Sequence, residues 1–299
     1  MKNMKIVFLI ILSFVFISCN KDNDIKTESA QNLNSNESDS KNTAVEMKKT
    51  ETPDSIKIMY GFYSGDFIAV KYDENSNLTY NNKITVSLDS IEGNILYGHS
   101  VVAGNNRPFI GKIEYKNNSY LAKVAEPGDD RYDGEFSFTI YPDSQKIEGV
   151  WNSFKNDLLV TMREYGLKKR TFTYNKNNNI PDDKNWNMLY EKNPKFPDKV
   201  EQISGEISKI NASNTLLQNS DINNLYKGDL EVIRNSIYAR HGYSFKSRKM
   251  RYFFDNNIDW YMPVSTDVRN ELTEVEKKNI DLIKRFEKHA ENYYDEYGR

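Results

Sequence analysis

The chain has 299 residues, a length that suggests about two folded domains. Its hydrophobic content of 38% and mean hydropathy of −0.76 are low for a compact protein, so part of the chain is expected to be linker or tail. The net charge of −2 gives no general attraction to nucleic acid, and no basic run alternates with aromatic residues as in single-strand binders.

The N-terminus resembles the signal peptide of a bacterial lipoprotein, which we place at residues 1–18. Two lysines precede an apolar run from Ile6 to Ile17, which is short for a membrane span and typical of a secretory signal. Cys19, the single cysteine, follows at once and resembles the last residue of a lipobox. The resemblance implies cleavage before Cys19 and its acylation, palmitate included. An ordinary signal peptide or a short anchor with a free thiol is the alternative.

A lipid anchor implies a place in the cell envelope, as an outer-membrane lipoprotein that faces either the periplasm or the cell surface. The membrane is then a partner of the chain, because several acyl chains together give stable anchoring. Residues 19–56 are rich in Asn, Ser, Lys, Glu and Thr. They bury too little apolar surface to offset chain entropy, so we predict a disordered tether.

Residues 57–174 are predicted to form an antiparallel β domain. Apolar residues alternate with polar ones, as in Phe136, Phe138 and Ile140, and turn pairs such as Asn117-Asn118 recur at short intervals. Even spacing favours an up-and-down sheet that is closed or nearly closed, similar in outline to lipocalin-type barrels. The predicted strands are 59–71, 83–91, 94–103, 108–116, 119–126, 134–141, 146–153 and 157–163, with a possible ninth at 169–174.

Two features of this domain have a functional and a structural interpretation. Trp151, Phe136, Phe138 and Tyr141 either line a cavity for lipid or sugar or fill the barrel core. The acidic loop 126–135 either supplies paired carboxylates for glycan hydrolysis or is a solvated hairpin. The loop departs from the calcium-binding pattern, because Arg131 and Ile140 stand where that pattern places ligands.

The C-terminal part is predicted to be all-α, which makes the fold class α+β in two domains. Asn-rich residues with prolines suggest a linker over 175–214, with one weak helix near 200–210. A helical domain follows over 215–290, and 291–299 reads as a tail. Helices are expected at Asp221–Tyr226 with Ser220 as N-cap, at Asp229–His241 with Gly242 after the end, at Ser247–Asn256, and after the capping box that begins at Thr273.

One motif in this helical part resembles the YARHG domain of bacterial envelope proteins. The resembling residues are Arg234, Asn235, Tyr238, Ala239, Arg240, His241, Gly242 and Trp260, with Leu230, Phe245, Phe253, Glu276 and Asn279 at compatible spacing. The resemblance covers about the last quarter of the chain. It implies a small helical extracytoplasmic domain and no catalytic residues. Ser236 departs from the pattern, since other members often carry an acidic residue there.

Arg234, Tyr238 and His241 lie on one helical stripe and are the candidate ligand-binding residues. They either form a site for an anion or a glycan carboxylate, or they are structural ties. In the structural interpretation, Arg234 and Asn235 bind carbonyl groups of the loop at Trp260. The three histidines lack metal-like spacing, so neither a metal nor a cofactor is expected.

The sequence assembles no catalytic set, and an enzyme is the less favoured interpretation. We therefore expect a binding or interaction module for an envelope glycan, lipid or protein. The first alternative is an envelope glycan hydrolase that uses carboxylates of the 126–135 loop. The second is a purely structural envelope protein.

Overall fold

The fold consists of a closed β-barrel followed by a helical region, as the alternating and helical patterns predict. The computed structural model describes residues 57–73, 81–184 and 202–294. The predicted signal peptide, Cys19 and the tether lie outside these residues.

Eight antiparallel strands close the barrel, each paired with the next and β8 paired with β1. The possible ninth strand at 169–174 is not present, because β8 runs unbroken from 160 to 170 and residues 171–174 are not in a strand. The strands are β1 (Gly61–Tyr72), β2 (Asn82–Glu92), β3 (Ile95–Val102), β4 (Asn105–Lys116), β5 (Ser119–Ala125), β6 (Gly134–Tyr141), β7 (Lys146–Ser153) and β8 (Val160–Arg170).

The barrel core is made by the inward row of each strand. On β2 the inward residues Ile84, Val86 and Leu88 are fully or almost fully buried, and Phe136 and Phe138 of β6 face them. Branched and aromatic side chains suit a pleated wall that packs on one side, which explains the period of two in the sequence.

Within its described residues, the helical region contains five α-helices and one short 3₁₀ turn at Arg269–Glu271. The capping box predicted at Thr273 is present, whereas the short helix is capped by Gln218 and not by Ser220. Gln218 takes this place because the Asp221 carboxylate accepts its backbone N–H at 2.7 Å. The helices are α1 (Glu206–Lys209), α2 (Asn219–Ile222), α3 (Lys227–Arg240), α4 (Arg248–Asn257) and α5 (Glu274–Tyr293).

Gly242 ends α3 in the left-handed conformation that the sequence predicts, with φ of +74°. The position also needs a residue without a side chain, since a Cβ there would lie 2.4 Å from Val264 and 2.8 Å from the Phe172 ring. This glycine therefore sets both the end of the helix and the close approach of two neighbouring segments.

The described parts of the predicted linker pack into the helical core. Ile180 and Ile207 are buried there with α3 and α5. The Asn211 side-chain amide donates to the Lys176 carbonyl at 2.9 Å and to Asn179 Oδ1 at 2.8 Å. These contacts tie the segment that follows β8 to the segment that precedes α2.

The barrel and the helices meet through Lys83 on the outer face of β2. Its backbone N–H donates to Asp255 Oδ2 of α4 at 3.0 Å. Its ammonium group donates to the carbonyls of Ile258 at 2.9 Å and Tyr261 at 3.3 Å, just beyond the C-terminal end of α4. A cation is favoured there because the helix dipole is negative at that end. Burial lowers the pKa of the Lys83 ammonium.

Asp255 should make the stability of this contact depend on pH. Burial raises the pKa of its carboxyl from 3.8 to about 7, against the lowering effect of Lys83. The folded state thus holds this proton more tightly than the unfolded chain. The protonated Asp255 carboxyl therefore contributes its full stabilisation below about pH 4, and this stabilisation is lost as the pH rises through about 7.

We predict that Asp255→Asn becomes more stable relative to the natural protein as the pH rises from about 4 to about 8, by an amount on the order of 1 kcal/mol or more. Asn keeps the shape and the acceptor without the ionisable group. Urea unfolding at a series of pH values measures the difference. A difference that stays constant with pH would show that Asp255 is not the titrating group.

Candidate functional site

A cavity lies at one end of the barrel, which we call the mouth. The β3–β4 turn at 103–104, the 126–133 loop and the 154–159 loop all lie at this end, because successive connections of an up-and-down barrel alternate between its ends. Helix α4 adds Arg248 and Arg251 to the cavity wall. The site is therefore built by both parts of the fold.

The mouth cavity has a volume of about 540 Å³, within the range of small-molecule sites. Polar and aromatic residues dominate its wall. The lining consists of Phe67, Asn82, Val102, Ala103, Asn105, Arg107, Glu126, Arg131, Tyr132, Phe136, Trp151, Leu158, Leu159, Val160, Arg163, Arg248 and Arg251.

Polar residues occupy inward positions at the mouth end of the strands, among them Asn82, Arg107, Glu126 and Arg163. Deeper in the barrel the same inward rows are apolar, with Ile84, Phe109, Val124 and Tyr165 as the next members. Charged groups in a barrel interior are costly unless they are paired or serve a ligand. The change from apolar to polar marks where the packed core ends and the cavity begins.

Glu126 is held at the cavity wall by three donors. Its carboxylate accepts the Gly134 N–H at 2.7 Å, the Trp151 indole N–H at 3.2 Å and the Ser100 hydroxyl at 3.2 Å. Gly134 permits this arrangement, since a Cβ there would lie 2.5 Å from the indole ring. Burial raises the pKa of Glu126, although these hydrogen bonds oppose the rise.

The other carboxylates of the 126–135 loop hold the loop in place. Asp133 is buried, accepts the N–H of Gly128 at 2.8 Å and lies 2.8 Å from the guanidinium of Arg107. Asp130 accepts the Tyr132 N–H at 2.7 Å and contacts Arg107 at 3.1 Å. The loop is thus more ordered at its base than a solvated hairpin would be.

Arg163 packs among the aromatic residues of the cavity. It donates to the Phe67 carbonyl at 2.8 Å, and its guanidinium lies 5.1 Å from the centre of the Phe67 ring. That ring meets Trp151 edge-on at 5.9 Å.

Of the four aromatic residues predicted for a cavity or core, Trp151 and Phe136 line the cavity at the edge of the core, and Phe138 lies within the core. The prediction for Tyr141 is wrong, because its position in β6 places it on the outer row of the strand, where Lys146 lies 4.9 Å from its ring centre.

Asn82 contributes an acceptor to the same wall. The residue is 8% exposed, and among the described residues its Oδ1 has no hydrogen-bond partner. Buried acceptors without a donor are uncommon and call for a specific explanation. A ligand hydroxyl or N–H group in the cavity would supply that donor.

Arg234, Tyr238 and His241 each have their own protein contacts. Arg234 Nε donates to both carboxylate oxygens of Glu287 on α5 at 2.9 Å. The half-buried Tyr238 ring lies 6.1 Å from the ring of Tyr243. We expected Arg234 and Asn235 to bind carbonyl groups of the loop at Trp260. This prediction is wrong, because Arg234 binds Glu287 instead. Asn235 donates to the Glu231 carbonyl one turn earlier.

His241 belongs to a buried group centred on Glu276. Its Nε2 lies 2.9 Å from Glu276 Oε2, and its ring stacks on Tyr174 at 4.2 Å. The Tyr174 hydroxyl donates to Glu276 Oε1 at 3.1 Å, and Thr273 N–H donates to Oε2 at 2.9 Å. Burial alone would raise the pKa of Glu276, but hydrogen bonds from His241, Ser213 and Thr273 bring it to about 2.

Arg240 joins three segments of the helical region. Its Nε donates to the Asn178 carbonyl at 2.8 Å, and its Nη1 donates to Ser213 Oγ at 3.2 Å and to Ser236 Oγ at 2.8 Å. The guanidinium also lies 5.8 Å from the ring centre of Trp260. Burial lowers the pKa of Arg240 to about 10. The motif residues thus fasten loops to α3.

Comparison with protein families identifies this helical part. Residues 205–288 match the sequence model of the YARHG domain family. The chain contains a YARHG domain. The match begins before residue 215, where we predicted the domain to start, and it takes in α1. Comparisons with curated proteins and with solved structures found no significant match.

Residues 57–73, 81–184 and 202–294 contain neither a candidate membrane span nor a candidate metal site. None of the helices in these ranges is long and apolar enough to cross a membrane. In the same ranges, no three His, Cys, Asp or Glu side chains cluster in a way that could hold a metal ion.

Among the cavity residues that the sequence analysis missed are Asn82, Arg107 and Arg163 of the strands and Arg248 and Arg251 of α4. The three strand residues are the more informative. A signal for them exists, since each stands at an inward position of a strand whose next inward residues are apolar. Detecting it requires the register of each strand to be known to a single residue. No comparable local pattern in the sequence predicts that the arginines of α4 line the cavity.

We predict that His241→Ala lowers the free energy of unfolding by about 2–4 kcal/mol, because Glu276 loses a buried partner and Tyr174 loses its stacked ring. Chemical denaturation followed by circular dichroism measures the loss. His289→Ala is the matched control, since His289 is exposed and the change should stay within about 0.5 kcal/mol. Equal effects of the two substitutions would contradict a structural role for the motif histidine.

Proposed function

We propose that the protein is a lipid-anchored envelope lipoprotein whose barrel binds a small envelope component in the mouth cavity. The observation that carries the proposal is the layer of inward polar residues, Asn82, Arg107, Glu126 and Arg163, at the mouth of an otherwise apolar barrel. Arg107 and Glu126 also tie the loop and the barrel wall together, but Asn82 Oδ1 is buried without a donor among the described residues, and a purely structural barrel gains nothing from that acceptor.

The N-terminal sequence supports a place in the envelope. An apolar run followed by Ser18 and Cys19 resembles a lipoprotein signal, and the polar segment 20–56 is long enough to hold the folded part away from the membrane. The YARHG domain fits the same location by resemblance to envelope proteins.

In this proposal the YARHG domain acts as a scaffold. Arg240 and the His241–Glu276 pair fix the loops around α3, and α4 packs against the barrel through Asp255. The same helix places Arg248 in the cavity wall. The domain therefore supports the binding site without supplying a separate one.

A glycan hydrolase is the second candidate, and one observation favours it. Glu126 lies at the cavity, and burial raises the pKa of its carboxyl, as a general acid requires. A hydrolase also needs a second carboxylate across the substrate. Asp133 is already engaged by Arg107 and by the loop N–H groups, so binding without cleavage is the better-supported function.

We predict that the full-length protein, extracted from its own envelope, carries a small molecule that native mass spectrometry detects as an added mass. Val102→Trp, which fills the cavity, should abolish the adduct. Val70→Trp, on the exposed outer face of β1, should leave it unchanged. Peptide analysis of the same sample should show an acylated Cys19 as the mature N-terminus.

Two results would count against the proposal separately. An adduct of equal occupancy in both tryptophan variants would exclude the mouth cavity as the binding site. An unprocessed N-terminus without acyl chains would exclude the lipoprotein assignment, whatever the cavity binds.

A further inference from the structure

Charged groups line the mouth cavity, but each of the arginines on two of its walls is matched by carboxylates. Arg107 lies 2.8 Å from Asp133 and 3.1 Å from Asp130. Arg131 lies 3.4 Å from Asp157 on the neighbouring loop. These pairs balance the positive charge that the two arginines bring to the wall.

The other arginines of the described lining are engaged as well. Arg163 donates to the Phe67 carbonyl at 2.8 Å, and Arg251 interacts electrostatically with Asp255 of the same helix. Arg248 also has an interaction partner. A charged ligand would lose its hydration and would find no unmatched counter-ion among the described residues. The cavity therefore favours an uncharged ligand.

Hydrogen-bonding capacity nevertheless remains on the wall. Asn82 Oδ1 belongs to a residue that is 8% exposed, and it accepts no hydrogen bond from a described residue. Glu126 Oε1 accepts the Ser100 hydroxyl, and a carboxylate oxygen can accept two hydrogen bonds. The guanidinium of Arg107 uses Nε and Nη2 for its two aspartates, out of five N–H donors. A wall with both acceptors and donors suits hydroxyl groups, because a hydroxyl group is both.

The rim of the cavity adds apolar surface. Tyr132 is 59% exposed and Leu159 is 53% exposed, and these two residues line the cavity from different mouth loops. An aromatic ring packs well against the C–H face of a sugar ring, whose hydroxyl groups point to the sides. A hydrocarbon chain would cover Asn82 Oδ1 without giving it a donor, at a cost in free energy. Sugars meet both requirements of the cavity.

We propose that the mouth cavity binds an uncharged sugar. One hydroxyl group donates to Asn82 Oδ1, others exchange hydrogen bonds with Glu126 and the arginines, and the ring packs on Tyr132. Because α4 contributes Arg248 and Arg251 to the wall, the YARHG domain is part of the site. This inference rests on the proposed function and names its ligand class.

Isothermal titration calorimetry on the full-length protein, in a detergent without a sugar headgroup, tests the ligand class. Each neutral probe is paired with a charged one: glucose with glucuronic acid, galactose with galacturonic acid, and N-acetylglucosamine with glucosamine. We expect at least one neutral probe to bind with a Kd of about 1 mM or tighter. Its charged partner should bind at least about tenfold more weakly, because its charge finds no unmatched counter-ion in the wall.

Asn82→Leu is the first variant, because it removes the acceptor and keeps the approximate size of the side chain. The sugar hydroxyl group would then be buried without a partner, so binding of the neutral probe should weaken at least about fivefold. Asn106→Leu is the matched control on the exposed outer face of β4, and it should bind the probe as the natural protein does.

Tyr132→Ala is the second variant, and it spares the barrel core because Tyr132 is largely exposed. It keeps the inference testable if Asn82→Leu does not fold. We expect it to weaken binding of the neutral probe about threefold or more through loss of the ring contact. Tyr115→Ala is its control, since Tyr115 is 61% exposed and lies near the end of β4 that is remote from the mouth.

The outcomes separate this inference from the proposed function. A charged sugar that binds as tightly as its neutral partner would overturn the ligand class, and so would neutral binding that neither Asn82→Leu nor Tyr132→Ala weakens. If none of the six probes binds while the natural adduct is still lost in Val102→Trp, the inference fails and the binding function stands. If neither probe nor adduct is found, both fail.

Discussion

The contact between Lys83 and the end of α4 joins the two parts of the fold. A lysine on the outer face of a barrel strand would ordinarily extend into water, but here its ammonium group is satisfied by the carbonyls of Ile258 and Tyr261. The backbone of the same residue binds Asp255, which is itself buried. Breaking any of these contacts would leave a charged or polar group buried without compensation. The position of α4, and with it one wall of the mouth cavity, depends on this contact.

The YARHG motif does not contact the barrel through Lys83, but it stabilises the helical region to which α4 belongs. Arg240 holds the segment after the barrel, and Glu276 collects donors from Thr273, His241 and Tyr174. Arg240, His241 and Glu276 are almost completely enclosed, and they contact protein atoms on several sides. Their arrangement explains how a motif rich in Arg, Tyr and His can be required for a fold without performing chemistry. The surface suited to binding a ligand lies instead at the mouth of the barrel, where polar side chains face a space large enough for a small molecule.

Local patterns in the sequence predicted much of this architecture. Alternating residues such as Phe136 and Phe138 predicted the strands, and Gly242 predicted the end of α3, because both follow from backbone geometry. The partners of Arg234 and Lys83 could not be predicted. Arg234 binds a carboxylate on another helix, and Lys83 binds groups more than 170 residues away in the chain. Such contacts depend on tertiary packing, which no local periodicity encodes. The cavity is partly predictable from the sequence. Its inward polar residues follow from the strand register, whereas its arginines from α4 depend on tertiary packing.

We infer that the barrel and the YARHG domain unfold as one cooperative structure around the mouth cavity. Native-state hydrogen exchange followed by mass spectrometry tests it most directly, because it reports the opening of each segment separately. The account predicts that peptides covering β2 and α4 exchange with the same opening free energy and the same dependence on denaturant. Exchange of α4 at much lower denaturant, with β2 still protected, would contradict it.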